Sequence, residues 1–167
     1  MDTGEYVVYC SSEICRIDGK VKKCFNGVDQ QDYFKLVPID QKKSSYYIPC
    51  SSLSGKTRPL LTRDQILGLI DNMGTGDLSQ WCDDKKERKS QFEKVLHSND
   101  HRKLMSMIGT IYLKREQQES KGKKLLAADE RAINEAEHLI NREFAFVLGM
   151  QENEVENFIR NRLKKAV

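Results

Sequence analysis

The spacing of apolar and polar residues changes near residue 60, and this change divides the chain into two parts. Before it, β-branched and aromatic residues form short runs that end at turn-forming residues. After it, apolar residues recur at the three- and four-residue intervals of amphipathic helices. The pattern predicts an α+β protein, with a small antiparallel β domain over residues 1–60 followed by a compact all-helical bundle over residues 61–167.

Five short strands are predicted in the first part. Asp18-Gly19 is a strong hairpin dipeptide, so the segments on either side of it are expected to pair back on each other. Asn26-Gly27 predicts a second turn, and Pro38 closes the fourth strand. So many strands in so short a segment predict a strongly bent sheet or barrel. The predicted strands span residues 5–10, 13–17, 20–25, 32–37 and 45–49.

Five helices are predicted in the second part, and their ends carry recognisable signals. Thr62 and Gln65 have the spacing of a capping box, which places the start of the first helix; that helix ends by Gly74. Ser98-Asn99-Asp100 is expected to cap the third helix, and Gly149 is expected to stop the fourth. The second helix is predicted over residues 83–97 and the fifth from about residue 152. Each has an apolar stripe, so the helices are expected to pack against one another.

Several classes of protein are disfavoured by what the sequence lacks. No apolar run approaches the roughly 20 residues of a membrane-spanning helix, and the N-terminus has no signal-peptide pattern. A cytoplasmic, monomeric protein is expected. None of the five cysteines forms a Cys-x-x-Cys pair. They are expected to pack as small apolar residues, and no metal site is predicted.

No catalytic motif was found. His97 and His101 are four residues apart, but a helix-capping segment separates them, so they are expected to face solvent or to cap helices. Gly74-Thr75-Gly76 lacks the third glycine and the strand-helix context of a phosphate-binding loop, and no nucleophile elbow is present. We therefore expect neither enzymatic activity nor a cofactor.

Trp81 is the only tryptophan, and it lies between a turn-prone polar segment and a charged helical stretch. From Trp81 to Arg131 there are 13 Lys and Arg against nine Asp and Glu, so the basic excess is concentrated in the middle of the chain. An aromatic side chain beside basic residues is typical of proteins that hold phosphates and push against a base step. Helical spacing places Lys85, Arg88 and Lys89 on one face, where they could follow a phosphate backbone. A solvated, salt-bridged helix face is the alternative explanation.

A second basic segment runs from Lys121 to Lys124, and no acidic residue occurs between Glu119 and Asp129. It is either a further phosphate contact or an ordinary flexible linker.

With these residues in view, the chain resembles the CarD/CdnL family of bacterial transcription regulators over nearly its whole length. Thr3-Gly4-Glu5-Tyr6-Val7-Val8-Tyr9 is similar to the family's Gly-Asp-x-Val-Val-Tyr opening. Trp81 falls where the family keeps a tryptophan after a polar loop, although Cys82-Asp83-Asp84 stands where members commonly carry arginines. The remaining segments that resemble family motifs are Tyr46–Pro49, Gly122–Leu125, Asp129–Arg131 and Ala136–Ala145.

The resemblance implies a Tudor-like N-terminal domain that docks on the β subunit of RNA polymerase by strand addition. It implies a helical domain that contacts promoter DNA at the upstream edge of the melted bubble, where the tryptophan acts as a wedge and basic residues hold the backbone. Association with the nucleoid through polymerase would follow. Binding is expected to be independent of DNA sequence, because no helix carries side chains arrayed for base edges.

The implied sites are assigned to residues of this chain as follows. The polymerase-docking residues are Lys22, Lys23, Tyr46, Tyr47 and Ile48. The DNA-contacting residues are Trp81, Lys85, Lys86, Arg88, Lys89, Lys123, Lys124 and Arg131.

The alternative function is a protein–protein adaptor in which Trp81 anchors an interface and DNA is never contacted. Salt separates the two, because phosphate contacts weaken steeply with ionic strength.

Overall fold

The chain divides into two compact units, Met1–Leu60 and Leu61–Val167, each with its own hydrophobic core. The predicted α+β class is confirmed, since a five-stranded antiparallel sheet precedes a set of helices. The computed structural model describes residues 2–10, 12–25, 27, 29–41, 43–73, 81–98 and 100–165.

The N-terminal unit is a single antiparallel sheet with strand order β4-β3-β2-β1-β5. A 3₁₀ turn and a one-turn helix, α1 (Leu53–Lys56), connect β4 to β5. The order leaves β4 and β5 at the two edges, each hydrogen-bonded to one neighbouring strand of the sheet. The strands are β1 (Tyr6–Tyr9), β2 (Glu13–Lys23), β3 (Gln31–Pro38), β4 (Tyr46–Pro49) and β5 (Thr57–Pro59).

The core of this unit lies where facing strands present apolar side chains to one another. Ile17 is opposite Leu36 in the β2–β3 register, and Val7 is opposite Cys15 in the β1–β2 register. Period-two alternation places these residues on a common face. The buried cluster comprises Val7, Cys15, Ile17, Leu36, Ile48 and Leu53.

The hairpin predicted at Asp18-Gly19 is wrong, because β2 runs straight through this dipeptide as one eleven-residue strand. The register with β3 shifts between Ile17 and Gly19, which marks a β-bulge. Gly19 has φ 138°, a conformation open to glycine because it lacks a Cβ. The bulge bends the strand without reversing it. The strand β5 was not predicted, and the Asn26 half of the second predicted turn lies outside the described residues.

The described part of the C-terminal unit contains five helices of two turns or more, and their predicted caps are confirmed where they are described. Thr62 Oγ1 accepts from Gln65 N (3.2 Å) and the Gln65 side chain accepts from Thr62 N (2.8 Å), forming the capping box. Asp100 accepts two backbone N–H groups, and Gly149 closes its helix with φ 72°. The helices are α2 (Arg63–Asp71), α3 (Lys85–Leu96), α4 (His101–Glu119), α5 (Ala127–Leu148) and α6 (Glu152–Lys165).

The apolar stripes of these helices meet in one core, in which Ile66, Ile111, Ile133 and Phe144 are fully buried. In the described residues, no helix is both long and apolar enough to cross a membrane. The turn-prone segment 74–80 that precedes Trp81 lies outside the described residues.

The expectation that His101 faces solvent or caps a helix is wrong. It is the first residue of α4, its side chain is only 10% exposed, and its Nε2 lies 2.8 Å from Glu143 Oε2. The other oxygen of Glu143 accepts from Leu61 N at 2.8 Å. Glu143 itself is buried in α5. Its two contacts connect the beginning of the helical unit and the start of α4 to α5. His97, at the end of α3, is exposed as predicted.

Apolar packing of the cysteines is confirmed for Cys15, which is buried, and is wrong for Cys10 and Cys24, which are exposed. Cys10 has φ 53° in the turn after β1, and Cys24 follows the last residue of β2. Both therefore lie beyond the packed part of the sheet.

Candidate nucleic-acid interface

Trp81 is half-buried at the surface of the helical unit, four residues before α3 begins. Its ring packs against the helical core and meets the ring of Phe92 edge-on, with 6.3 Å between centroids. The indole is thus partly held by the core and partly open to solvent.

Two cations lie over the ring of this indole. The guanidinium carbon of Arg88 lies 4.3 Å from the ring centroid, and the Nζ of Lys114 lies 5.0 Å from it. Such contacts are stronger when the cation is partly desolvated. They hold the ring in one orientation beside positive charge.

Arg88 is not the surface cation that the sequence predicted. It is buried, and its Nε and Nη2 each donate to Asp129 over 3.0 Å. Its Nη1 donates to the carbonyl oxygens of Cys82 (2.7 Å) and Asp83 (3.4 Å). All three guanidinium nitrogens therefore have protein acceptors, and Arg88 is removed from the predicted phosphate contacts.

The burial of Arg88 follows from the apolar face of α3. Arg88, Phe92 and Leu96 are spaced at four-residue intervals and are all buried. Lys85 and Lys89 are exposed, as is Lys86. The predicted common face of 85, 88 and 89 therefore separates into two exposed lysines and one inward arginine.

Acidic side chains lie close to the lysines of α3 and to Lys114. Asp84 is the N-cap of α3, and its carboxylate accepts from Glu87 N at 2.8 Å. Asp83 lies 3.9 Å from Lys114. Lys89 is 3.7 Å from Glu93, but both are well exposed, so this ion pair contributes little.

The Arg88–Asp129 pair brings the second basic segment, Lys121 to Lys124, towards the part of the helical unit that holds α3. Asp129 is in the first turn of α5, directly after the connection that carries Lys123 and Lys124. Both lysines are exposed, and so is Arg131, whose Nε donates to the Ala127 carbonyl at 3.2 Å. The segment before α3 and the start of α5 are thereby joined through one buried ion pair.

The sequence did not predict a role for Lys114 or Asp129. Lys114 contacts Trp81 directly, and Asp129 holds it through Arg88. Neither has a local signal, because each acts on a residue more than 30 positions away in the chain. The spacing of Arg88, Phe92 and Leu96 was the one signal that favoured an inward arginine.

In the β unit, three of the predicted docking residues are on the edge strand β4 and two are at the end of β2. Tyr47 is half-buried, and the Nζ of Lys23 lies 5.0 Å from its ring centroid. Lys22 is exposed near the end of β2. Ile48 is buried, so its side chain is unavailable to a partner and only its backbone lies at the sheet edge.

Tyr46 is fixed within the unit: its hydroxyl donates to Glu13 at 3.2 Å, and its ring lies 4.9 Å from that of Tyr9. Burial, together with the nearby Glu13 carboxylate, raises the pKa of Tyr46.

Phe25 was not predicted as a site residue, yet it is 63% exposed beside β4. Its ring centroid lies 5.1 Å from that of Tyr33 and 5.7 Å from that of Tyr47. The three rings form an aromatic cluster at the surface, and an exposed aromatic is the residue type that anchors protein interfaces. The signal available in the sequence was an aromatic residue directly before the turn dipeptide Asn26-Gly27.

Comparison of the chain with protein-family models and with curated proteins found no match. The likeness to the CarD/CdnL family therefore remains a resemblance of sequence motifs. The clamped indole of Trp81 and the edge strand β4 with its aromatic cluster are the structural features from which a function is inferred below.

Proposed function

We propose that this protein is a transcription regulator. It docks on the β subunit of RNA polymerase and contacts promoter DNA at the upstream edge of the melted bubble, where it modulates the stability of the open complex. The observation that carries the proposal is the half-buried indole of Trp81, held against Arg88 and Lys114 at the surface of the helical unit.

A clamped indole suits a wedge because it loses little rotational freedom when it meets a base step. Stacking of an aromatic ring on a base contributes roughly 1–3 kcal/mol. Unstacking a base step costs a few kcal/mol. The free energy gained by stacking and the cost of unstacking are of similar size. A wedge therefore supports a fork that polymerase has already opened, and it does not melt the duplex by itself.

The surrounding charges favour a phosphate backbone once Arg88 is left out. Lys85, Lys86 and Lys89 are exposed on α3. On the Asp129 side of the Arg88–Asp129 pair, Lys123, Lys124 and Arg131 are exposed as well.

Of the two acids after Trp81, Asp84 repels a phosphate backbone less than its position in the sequence suggests. Asp84 faces the positive end of α3 as its N-cap, and Asp83 lies near Lys114. The charge of Asp84 is therefore partly offset by α3, whereas the ion pair of the exposed Asp83 contributes little.

Docking on polymerase is supported by the edge strand β4. An edge strand has unpaired backbone groups that accept a further strand, and β-augmentation uses them for affinity. Phe25, Tyr47 and Lys23 add an aromatic and cationic surface beside it. Docking tethers the helical unit near the promoter, which raises its effective concentration. A net charge of only +3 is then compatible with DNA contact.

The proposal is tested by the lifetime of open complexes on a promoter with a pre-melted fork, using bacterial RNA polymerase and excess competitor DNA. We expect the wild-type protein to lengthen this lifetime and Trp81→Ala to lose most of the effect while binding polymerase with unchanged affinity. Loss of one base-stacking contact corresponds to roughly a tenfold decrease in the lengthening of the open-complex lifetime. Trp81→Phe keeps an aromatic face and should retain part of the effect.

Lys94→Ala is the matched control, because Lys94 is exposed on α3 and belongs neither to the residues described in contact with Trp81 nor to the predicted phosphate contacts. Equal activity of wild type and Trp81→Ala would show that the indole is structural or anchors a protein partner. Binding that also depended only weakly on salt would then favour the adaptor function.

A further inference from the structure

A groove with a volume of about 610 Å³ opens on the helical unit between α4, α5 and α6. Its floor is apolar and is formed in part by Met105 and Ile108 of α4, Ile140 of α5 and Ile159 of α6. Leu113, at 47% exposed, also lines it. A leucine exposed beside an apolar floor is the composition of a surface that another molecule covers.

The groove is long, and it is separate from the Trp81 site. On α4 its lining residues run from Met105 to Glu116, which at 1.5 Å per residue is a length of about 16 Å, or three helical turns. Lys114, which contacts Trp81, is nine residues from Met105 and thus about 180° away around the helix axis. The groove therefore lies on the face of α4 opposite to the one that holds the indole.

The rim of the groove is acidic. Glu116, Glu137 and Glu156 line it, against one cation, Arg160. Arg160 pairs with Glu156 at 2.5 Å. Glu137 accepts a hydrogen bond from the Tyr112 hydroxyl at 2.6 Å. Burial, followed by this hydrogen bond, raises the pKa of Tyr112. Negative charge thus exceeds positive charge around an apolar floor.

We propose that this groove binds a positively charged amphipathic helix of a partner protein. Apolar side chains at positions i, i+3, i+4 and i+7 of that helix fill the floor, and flanking Lys or Arg residues face Glu116 and Glu137. Recognition of a helix in a groove uses this arrangement. Three turns of α4 alongside α6 match the length over which such a helix is read, and the acidic rim selects the sign of its charge.

The test uses the full chain and a displayed library of helices. Their four apolar positions vary among Leu, Ile, Phe and Met, and their flanking positions vary among Lys, Glu and Gln. We expect selection to enrich Lys at the flanks. The affinity of the best peptide is then measured by fluorescence anisotropy. Leu113→Arg, at an exposed position, is expected to weaken it at least tenfold.

Glu116→Lys is expected to weaken the same peptide about fivefold, because an attraction at the rim becomes a repulsion. The matched control is Glu135→Lys, which makes the same charge change at an exposed position of α5, two residues and thus about 200° around the helix from Glu137, and should leave affinity unchanged. Failure to enrich any helix, enrichment of Glu flanks, or binding insensitive to Leu113→Arg would overturn the proposal. A dimer of the wild-type chain that Leu113→Arg dissociates would also overturn it, since the occupant would be a second copy.

Discussion

Arg88 determines how the surface around Trp81 is built. Its nitrogens bond Asp129 and the carbonyls of Cys82 and Asp83, and its guanidinium covers the indole. A buried charge is costly unless it is paired and hydrogen-bonded. The Arg88–Asp129 pair therefore fixes the segment before α3 against the start of α5, and the position of Trp81 depends on it.

Arg88→Met is expected to lower the free energy of unfolding by about 3 kcal/mol, because it leaves the Asp129 carboxylate buried without its partner. The double variant Arg88→Met/Asp129→Leu should recover most of this loss, since both charges are then absent. Urea unfolding monitored by the fluorescence of Trp81, the only tryptophan, measures both effects. A double variant at least as unstable as the sum of the two single variants would contradict the assignment.

The contrast between Trp81 and Arg88 shows what sequence can predict about single residues. A lone tryptophan between a polar segment and a charged helix was a visible anomaly, and the structure places it at the surface of the core. The inward direction of Arg88 depends on Asp129, 41 residues further along the chain. The four-residue spacing of Arg88 from Phe92 favours an inward side chain, but the ion pair itself leaves no local signal, and an arginine among lysines is usually exposed.

Helices were easier to predict than strands, because their signals are local. The capping box at Thr62 and the glycine at Gly149 each act within one turn of the helix. Asp18-Gly19 is different, because the same dipeptide suits a hairpin turn and a glycine bulge. The choice is made by β3, which pairs with β2 on both sides of the bulge.

Asp18 stabilises the bulge and gives the β unit a predictable response to pH. Its carboxylate accepts from Lys35 (2.7 Å) and Arg16 (2.9 Å), and the Lys35 contact is the main cause that lowers the pKa of Asp18. A lowered pKa means that the folded state holds the proton less tightly than the unfolded state. The stabilisation is therefore present above the ordinary Asp pKa of about 3.9 and is lost as the pH falls through the lower, folded-state value.

Asp18→Asn is accordingly expected to lower the unfolding midpoint of the β unit at pH 7, with the difference from wild type closing as the pH falls below about 3.9. Amide NMR signals of Ile17 and Leu36, which are opposite each other in the sheet, report this unit specifically. Lys35→Gln should remove most of the same pH dependence. A difference that is constant from pH 7 to pH 2 would show that the Lys35 contact does not form.

For the molecule as a whole, the boundary between the two units coincides with the position where apolar spacing changes from that of strands to that of helices. Periodicity predicts the two architectures because each must bury its own apolar face. It does not predict which surface residues are brought together. Phe25 joins Tyr33 and Tyr47 only through strand pairing, and the groove beside α4 exists only through helix packing.

If the β unit tethers and the helical unit acts on DNA, the two functions separate in a titration of open-complex lifetime against protein concentration. Phe25→Ser changes an exposed side chain, so folding is retained, and loss of the aromatic anchor should shift the half-maximal concentration upward about tenfold. Its plateau should remain that of the wild type, because Trp81 is intact. Trp81→Ala should lower the plateau without shifting the half-maximal concentration. A lowered plateau for Phe25→Ser would mean that docking also sets the DNA contact, and an unshifted curve would exclude this aromatic cluster from polymerase binding.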